Sequence, residues 1–180
     1  DYLTKPVSKN ELLSRIKTHI ELAKINNSYS KFVPREFLKF LGKDSIIEVN
    51  LGEQVQLDMT IMFSDIRSFT SLSEKMTPKE NFDFINSYLS KVSPAIRKNN
   101  GFIDKYIGDG IMALFPDTPD NAIDSALEMM NILKNLNEER ASKNLDSISI
   151  GIGIHTGSLM LGTIGEEERM ESTVISDAVN

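Results

Sequence analysis

Two aspartates stand where apolar runs of the sequence end, and both have the chemistry to bind a metal ion. Asp65 follows residues 57–63, a near-continuous apolar run typical of a buried central strand. Asp109 lies between Gly108 and Gly110, a hairpin signal between two strand-like runs. If the strands are neighbours, the carboxylates converge, and such oxygen ligands suit Mg²⁺ or Mn²⁺. Turn chemistry at Asp109 and helix capping at Asp65 are the alternative readings, so the pair alone does not decide.

The segment that follows Asp65 is a candidate phosphate-binding element. Residues 66–70 pass from the strand pattern towards a helix, so several backbone N–H groups, including those of Phe69 and Thr70, would point at one place. No glycine-rich loop accompanies it. By itself this signal is weak.

Hydrophobic spacing predicts the elements that must hold these residues. Helices are predicted at residues 9–28, 32–42, 77–99 and 122–136, and strands at 57–63, 102–107, 111–115, 148–154 and 172–176. Ser8 with Glu11, and Thr77 with Glu80, have the spacing of N-terminal capping boxes.

The order of these elements predicts the fold class. From residue 57 the chain runs strand, helix, hairpin, helix, strand, and such a chain can cover one face of an antiparallel sheet with helices. We therefore expect an α+β fold of ferredoxin-like or palm type, with the helix at residues 9–28 as an N-terminal linker.

Composition excludes several classes of function. The 180 residues are 40% hydrophobic and 26% charged, as in soluble globular proteins, and no apolar run approaches the ~20 residues of a membrane span. The net charge of −6 has the wrong sign for binding nucleic-acid phosphates, so no nucleic-acid partner is expected. The absence of cysteine excludes a disulfide framework and a thiolate metal site, and we expect a cytoplasmic location.

Four sequence blocks together resemble the catalytic domain of class III adenylate and guanylate cyclases. The blocks are Phe-Ser-Asp-Ile-Arg-Ser-Phe-Thr at 63–70, Lys-Tyr-Ile-Gly-Asp-Gly-Ile-Met-Ala-Leu-Phe at 105–115, Gly-Ile-His-Thr-Gly at 153–157 and Gly-Thr-Ile-Gly at 162–165. The resemblance lies in their order and spacing as well as their residues. It covers residues 55–180, and the first two blocks are the most diagnostic.

The resemblance implies a two-metal reaction on a nucleoside triphosphate. Asp65 and Asp109 match the family's metal-binding aspartates, and the main-chain carbonyl of Ile66 matches a further ligand. Two divalent ions, Mg²⁺ or Mn²⁺, would hold ATP while its ribose 3′-hydroxyl attacks the α-phosphorus and pyrophosphate leaves.

Other residues match family positions that contact the substrate. Lys105 matches the lysine that reads the purine, and Thr173 falls where adenylate cyclases of the family carry Asp or Thr. A lysine donor suits adenine N1, which accepts, whereas guanine N1 donates. Asn180 matches an asparagine that contacts the ribose, and Arg169 is a candidate triphosphate contact. The family's transition-state arginine lies just beyond Asn180, so the catalytic domain is expected to be incomplete at its C-terminus.

The resemblance also predicts partners and domains. In this family the metal aspartates of one protomer face the lysine of the other, which implies a homodimer with shared sites. Residues 1–28 resemble the end of a response-regulator receiver domain, with Lys5-Pro6, followed by a linker helix. Residues 29–54 would be a connector and 55–180 the catalytic domain. An upstream receiver implies phosphorylation by a histidine kinase.

Two other functions are compatible with these residues. A catalytically silent cyclase-like domain would keep the fold and bind nucleotide or dimerise without turnover. A guanylate cyclase would differ mainly at Lys105 and Thr173.

Overall fold

The chain is described by a computed structural model that covers residues 8–177 and Val179. It divides into two compact units between Asn50 and Leu51. Lys5 and Pro6, on which the receiver resemblance rests, lie outside the described residues, as does Asn180. The predicted division at residues 28 and 54 stays a prediction. Within the described residues, no helix combines the length and the apolar content that crossing a membrane requires.

The first unit contains two helices and a single turn of 3₁₀ helix. Helix α1 spans Lys9–Tyr29, α2 spans Arg35–Phe40, and the 3₁₀ turn spans Ile46–Glu48. The helix predicted at residues 9–28 is therefore confirmed, and its role as a linker stays a prediction. Its expected capping box is not formed, because the Ser8 side chain makes no capping hydrogen bond and Glu11 instead pairs with Arg15 at 3.0 Å.

The second unit is a five-stranded sheet with helices. Its elements are β1 Gln54–Ile66, α3 Phe69–Ser73, α4 Pro78–Lys98, β2 Phe102–Ile107, β3 Gly110–Phe115, α5 Pro119–Ser142, β4 Ile150–Glu166 and β5 Arg169–Ile175. The strand order is β2-β3-β1-β4-β5, and every paired neighbour is antiparallel. This is the predicted α+β ferredoxin-like arrangement, with β5 added beside β4.

Helices α4 and α5 build the core against one face of the sheet. Met62 of β1, Val92 and Ile96 of α4, Phe115 of β3 and Met129 of α5 are all buried in one apolar cluster. The predicted capping box at the start of α4 is present, since the Thr77 hydroxyl accepts from the Glu80 N–H and the Glu80 carboxylate accepts from the Thr77 N–H. Lys98–Glu128 and Lys91–Glu139 ion pairs link the two helices at 2.7 Å.

Several predicted elements were too short, β4, β1 and α5 by the largest margins. Strand β4 was predicted to end at residue 154 but continues to Glu166, because its glycines pair in the ladder instead of breaking it; Gly162, for example, lies opposite Gln54. Strand β1 begins at Gln54, earlier than predicted, because the residues before 57 pair with β4. Helix α5 continues to Ser142, where its last turn is held by Arg140 donating to the Asp146 carbonyl at 2.7 Å.

Candidate active site

The end of β1 and the β2–β3 turn bring Asp65 and Asp109 together; we call this pair the aspartate cluster. Strands β1 and β3 pair through Ser64 and Ile111, so the residues just beyond that pair lie side by side. Gly108 takes φ 63°, a conformation that glycine adopts without strain, and this lets the hairpin turn there. The Ile66 N–H then donates to Asp109 Oδ2 at 3.0 Å. The backbone of both strands therefore fixes the cluster.

The aspartate cluster carries excess negative charge. The pKa of Asp109 is raised, first by burial and then by its hydrogen-bonding contact with Asp65, and the charge of Asp65 adds to the effect. Tyr88 of α4 is buried at this place, and its pKa is raised by burial and by the charges of Asp109 and Asp65. A cation at the two carboxylates would offset the negative charge that contributes to both raised pKa values.

The donor set of the cluster fits a hard divalent cation that keeps other ligands. Within the described residues, no group of three or more His, Cys, Asp or Glu side chains is arranged to hold a metal. Two carboxylates that leave room for backbone, water and phosphate oxygens are typical of Mg²⁺ sites in phosphoryl-transfer enzymes. The predicted carbonyl ligand, Ile66, directly follows Asp65 on the same strand.

The predicted phosphate-binding segment does turn from strand to helix. Ser68 takes the left-handed conformation with φ 55° and starts α3, of which Phe69 and Thr70 are the first two residues. The backbone N–H groups in the first turn of a helix have no hydrogen-bond acceptor within that helix. Phe69 is half-buried, packing against Phe84 with ring centroids 6.3 Å apart, whereas Thr70 is exposed.

A second group of site residues, which we call the lysine cluster, consists of Lys105, Thr173 and Asp104. The Lys105 ammonium donates to Thr173 Oγ1 at 3.3 Å and to the Ser172 carbonyl at 3.4 Å, and lies 3.5 Å from Asp104 Oδ2. The structure therefore brings together the lysine and threonine that the sequence singled out. No hydrogen bond or ion pair within the described residues joins this cluster to the aspartate cluster.

A β-bulge at Asp104 determines the direction of Lys105. Ile103 lies opposite Ala113 and Lys105 lies opposite Met112, so Asp104 is the extra residue of the pair. Met112 is in turn opposite Phe63, and Phe63 shares its sheet face with Asp65, two residues on. Lys105 therefore projects from the face that carries Asp65. Without the bulge it would pair one position further and point to the face covered by α4 and α5.

The contact between Lys105 and Thr173 requires a strongly curved sheet. Strands β2 and β5 are opposite edges, separated by three strands. In a flat sheet they would lie about 19 Å apart, which is too far for a lysine side chain. The twist and curvature of the sheet bring the two edges together. The face opposite α4 and α5 also carries buried apolar side chains, among them Ile61, Leu114 and Leu161.

Asp104 is the member of the lysine cluster that the sequence analysis did not single out. Its side chain is 3% exposed, and burial raises its pKa against the opposing effect of Lys105. A signal was available, because two consecutive charged residues inside an otherwise apolar strand break the period-two pattern, as a bulge would.

The remaining predicted site residue, Arg169, lies at the start of β5, beside the turn from β4. It donates to Glu171 at 3.0 Å, and its side chain is 80% exposed. The structure therefore does not bring it to either cluster, and its proposed contact with triphosphate stays a prediction.

The strand order and the helix-covered antiparallel sheet define an α+β protein of ferredoxin-like topology. The sequence profile of the adenylate and guanylate cyclase catalytic domain matches residues 52–180. An adenylate cyclase of Anabaena cylindrica is 43% identical over 179 residues, or 96% of this chain and 36% of that protein. The chain belongs to the adenylate and guanylate cyclase catalytic domain family.

Solved structures include both kinds of cyclase. A bacterial light-regulated adenylyl cyclase superposes with a TM-score of 0.78 at 28% identity, over 96% of this chain and 52% of that one. The guanylyl cyclase Cya2 gives a TM-score of 0.62 at 34% identity, over 69% of this chain and 66% of that one. The chain spans only 7% to 36% of the length of the first curated relatives it matches.

Proposed function

We propose that this domain is an adenylate cyclase that converts ATP to 3′,5′-cyclic AMP and pyrophosphate. In this reaction a bond forms between the ribose 3′-oxygen and the α-phosphorus, the bond from that phosphorus to the bridging oxygen breaks, and the hydroxyl proton is released to solvent. The observation that carries the proposal is the pair of clusters, one suited to metal and triphosphate and one suited to adenine. The 43% identity to a relative named adenylate cyclase supports the same choice.

Asp65 and Asp109, with the Ile66 carbonyl, would hold two divalent ions, Mg²⁺ or Mn²⁺. Bound ions of this kind lower the pKa of a hydroxyl nucleophile and neutralise the charge of the triphosphate. The backbone N–H groups at Phe69 and Thr70 would bind phosphate oxygens, and Arg169 would supply a further positive charge. Asn180 would orient the ribose. Most of the rate then comes from positioning and charge stabilisation.

Lys105 and Thr173 would select adenine over guanine. The lysine ammonium donates to adenine N1, whereas guanine presents an N–H donor at that place. The threonine oxygen, already within 3.3 Å of the ammonium, accepts from the adenine amino group. A guanine in this site would leave the lysine without its acceptor, and an unpaired polar group in a pocket is what gives such sites their selectivity.

Product analysis with Mn²⁺ and ATP, and separately GTP, tests the function on the longest natural chain that contains these residues. Cyclic AMP formed in preference to cyclic GMP is the expected result. Cyclic GMP as the main product would contradict the assignment of Lys105 and Thr173. No cyclic product from a folded dimer would identify a silent nucleotide-binding or dimerisation module instead.

We further propose a homodimer in which each active site combines the aspartate cluster of one protomer with the lysine cluster of its partner. Within the described residues no hydrogen bond or ion pair joins the two clusters of one chain, which is compatible with this arrangement. Helix α1 buries none of its side chains, and Leu13, Ile16 and Ile20 are between 45% and 52% exposed at three- and four-residue spacing. That apolar seam is suited to pairing with a second copy.

Regulation by phosphorylation is the broadest part of the proposal. A receiver domain ahead of α1, phosphorylated by a histidine kinase in the cytoplasm, would shift the dimer between two states through α1 and α2. The support is the sequence resemblance around Lys5-Pro6. Equal cyclase activity of the phosphorylated and unphosphorylated full-length protein would contradict it.

A further inference from the structure

The lysine cluster contains a buried carboxylate oxygen that makes no hydrogen bond within the described residues. Asp104 Oδ2 is inaccessible to solvent, and within the described residues it has no hydrogen-bond donor. The Lys105 ammonium lies 3.5 Å away from it. A buried ionised carboxylate without full pairing is costly, so its place beside Lys105 requires a physical reason.

The three contacts of the Lys105 ammonium are all long. Thr173 Oγ1, the Ser172 carbonyl and Asp104 Oδ2 lie between 3.3 and 3.5 Å from it, at or beyond the upper end of hydrogen-bond distances. Such an ammonium is held in place by several weak acceptors and stays free to donate a short hydrogen bond to an entering ligand. Of the three oxygens around the ammonium, only that of Asp104 belongs to an ionisable group, and in a buried site the attraction between opposite charges is stronger than in water.

We propose that Asp104 is a positioning residue that holds the Lys105 ammonium in the place where it reads the purine, and thereby contributes to the choice of ATP over GTP. The bulge supports this role, because one extra residue both turns Lys105 to the site face and puts the carboxylate beside its ammonium. This inference rests on the proposed function, which assigns Lys105 to the base.

A double-mutant cycle with Asp104→Asn and Lys105→Ala tests the proposal. In the otherwise natural protein, Asp104→Asn should lower kcat/KM for ATP about tenfold and change that for GTP less than about threefold. In the Lys105→Ala background the same exchange should have almost no further effect, because two groups that act through one contact are not additive. Equal losses for both nucleotides, or full additivity, would overturn the inference in favour of a structural role.

Thermal stability is a second measurement, and a positioning role and a purely structural role of Asp104 predict different changes in it. Asparagine keeps the shape of the side chain and removes the buried charge, so the melting temperature should stay or rise while nucleotide discrimination falls. Asp58→Asn is the matched control, since it removes the same charge from an exposed position of β1 and should change neither quantity. A fall in melting temperature that accompanies the lost activity would count against the positioning role.

Binding of 3′-deoxy-ATP and 3′-deoxy-GTP separates this inference from the proposed function, because neither nucleotide has the hydroxyl needed to cyclise. Asp104→Asn should weaken binding of the adenine analogue about tenfold and leave the guanine analogue nearly unchanged, even if the natural protein makes no cyclic product. Failure of turnover alone would then reject only the proposed function. Failure of the natural protein to bind the adenine analogue, or unchanged binding by the variant, would reject the inference.

Discussion

The aspartate cluster and the lysine cluster are built in different ways. In the aspartate cluster the backbone sets the positions of the carboxylates. A strand end and a two-residue turn converge there, and the Ile66 N–H donates to Asp109 Oδ2 at 3.0 Å. In the lysine cluster long side-chain contacts of 3.3 to 3.5 Å hold one ammonium across a curved sheet. A metal site requires ligands at fixed places, whereas a site that reads a base can adjust to it. In the proposed shared site, the aspartate cluster would be a rigid half and the lysine cluster an adjustable half.

The largest expected effect is on the rigid half. Asp65→Asn and Asp109→Asn should each lower kcat by roughly 100- to 1000-fold, a loss typical of removing one group that stabilises the transition state. The loss should be the same for ATP and GTP, and raising the Mn²⁺ concentration should recover part of it. Cyclic nucleotide formed per minute over a Mn²⁺ titration is the measurement.

Two exposed aspartates supply controls for these variants. Asp58→Asn on β1 and Asp117→Asn after β3 remove the same charge away from the cluster and should leave the metal titration unchanged. Near-normal activity in either cluster variant would show that the carboxylates do not bind the catalytic ions.

Next in size is the effect of Lys105→Glu, which reverses the charge of the adjustable half. The ratio of kcat/KM for ATP to that for GTP should fall on the order of 100-fold, because the site then accepts where adenine N1 also accepts. The Mn²⁺ dependence should not change. Lys79→Glu, at the exposed start of α4, is the matched control, and an unchanged nucleotide ratio in Lys105→Glu would remove the base-reading role.

Thr173→Val should have the smallest effect. The exchange removes one oxygen 3.3 Å from the ammonium and keeps the branched shape that suits a strand. We expect a rise of about threefold in KM for ATP with little change in kcat, since the other two contacts of Lys105 remain. Initial rates at varied ATP check this, and a large fall in kcat would show that the lysine cluster is more rigid than its long contacts indicate.

The sequence predicted the rigid half better than the adjustable half for a physical reason. Asp65 and Asp109 follow local signals, an apolar run and an Asp-Gly turn, so their placement needs only that β1 and β3 be neighbours. The contact between Lys105 and Thr173 depends on a bulge at Asp104, which is a matter of register between two strands. Their matching family positions named both residues, and the local sign of the bulge, two adjacent charged residues inside an apolar strand, does not give the register of pairing.

Dependence on pairing between strands also explains why the predicted strand ends differ from the observed ones. Local patterns located every helix and strand of the second unit except the short helix α3. The extension of β4 to Glu166 depends on its pairing with β1 and β5, and this pairing overrides the turn preference of its glycines. The failed capping box at Ser8 shows the reverse case, where the spacing was right but Glu11 found another partner in Arg15. Elements could be predicted locally, and pairing could not.

Mixing two inactive variants tests most directly whether the two clusters form one active site across a dimer. Asp65→Asn lacks the aspartate half, Lys105→Glu lacks the lysine half, and a mixed dimer of the two keeps one intact site. With random exchange of protomers, the 1:1 mixture should recover about a quarter of the natural cyclic AMP production, since about half of the dimers are mixed and each has one of two sites. If exchange is verified and activity stays at the mean of the two variants alone, the shared-site account is wrong.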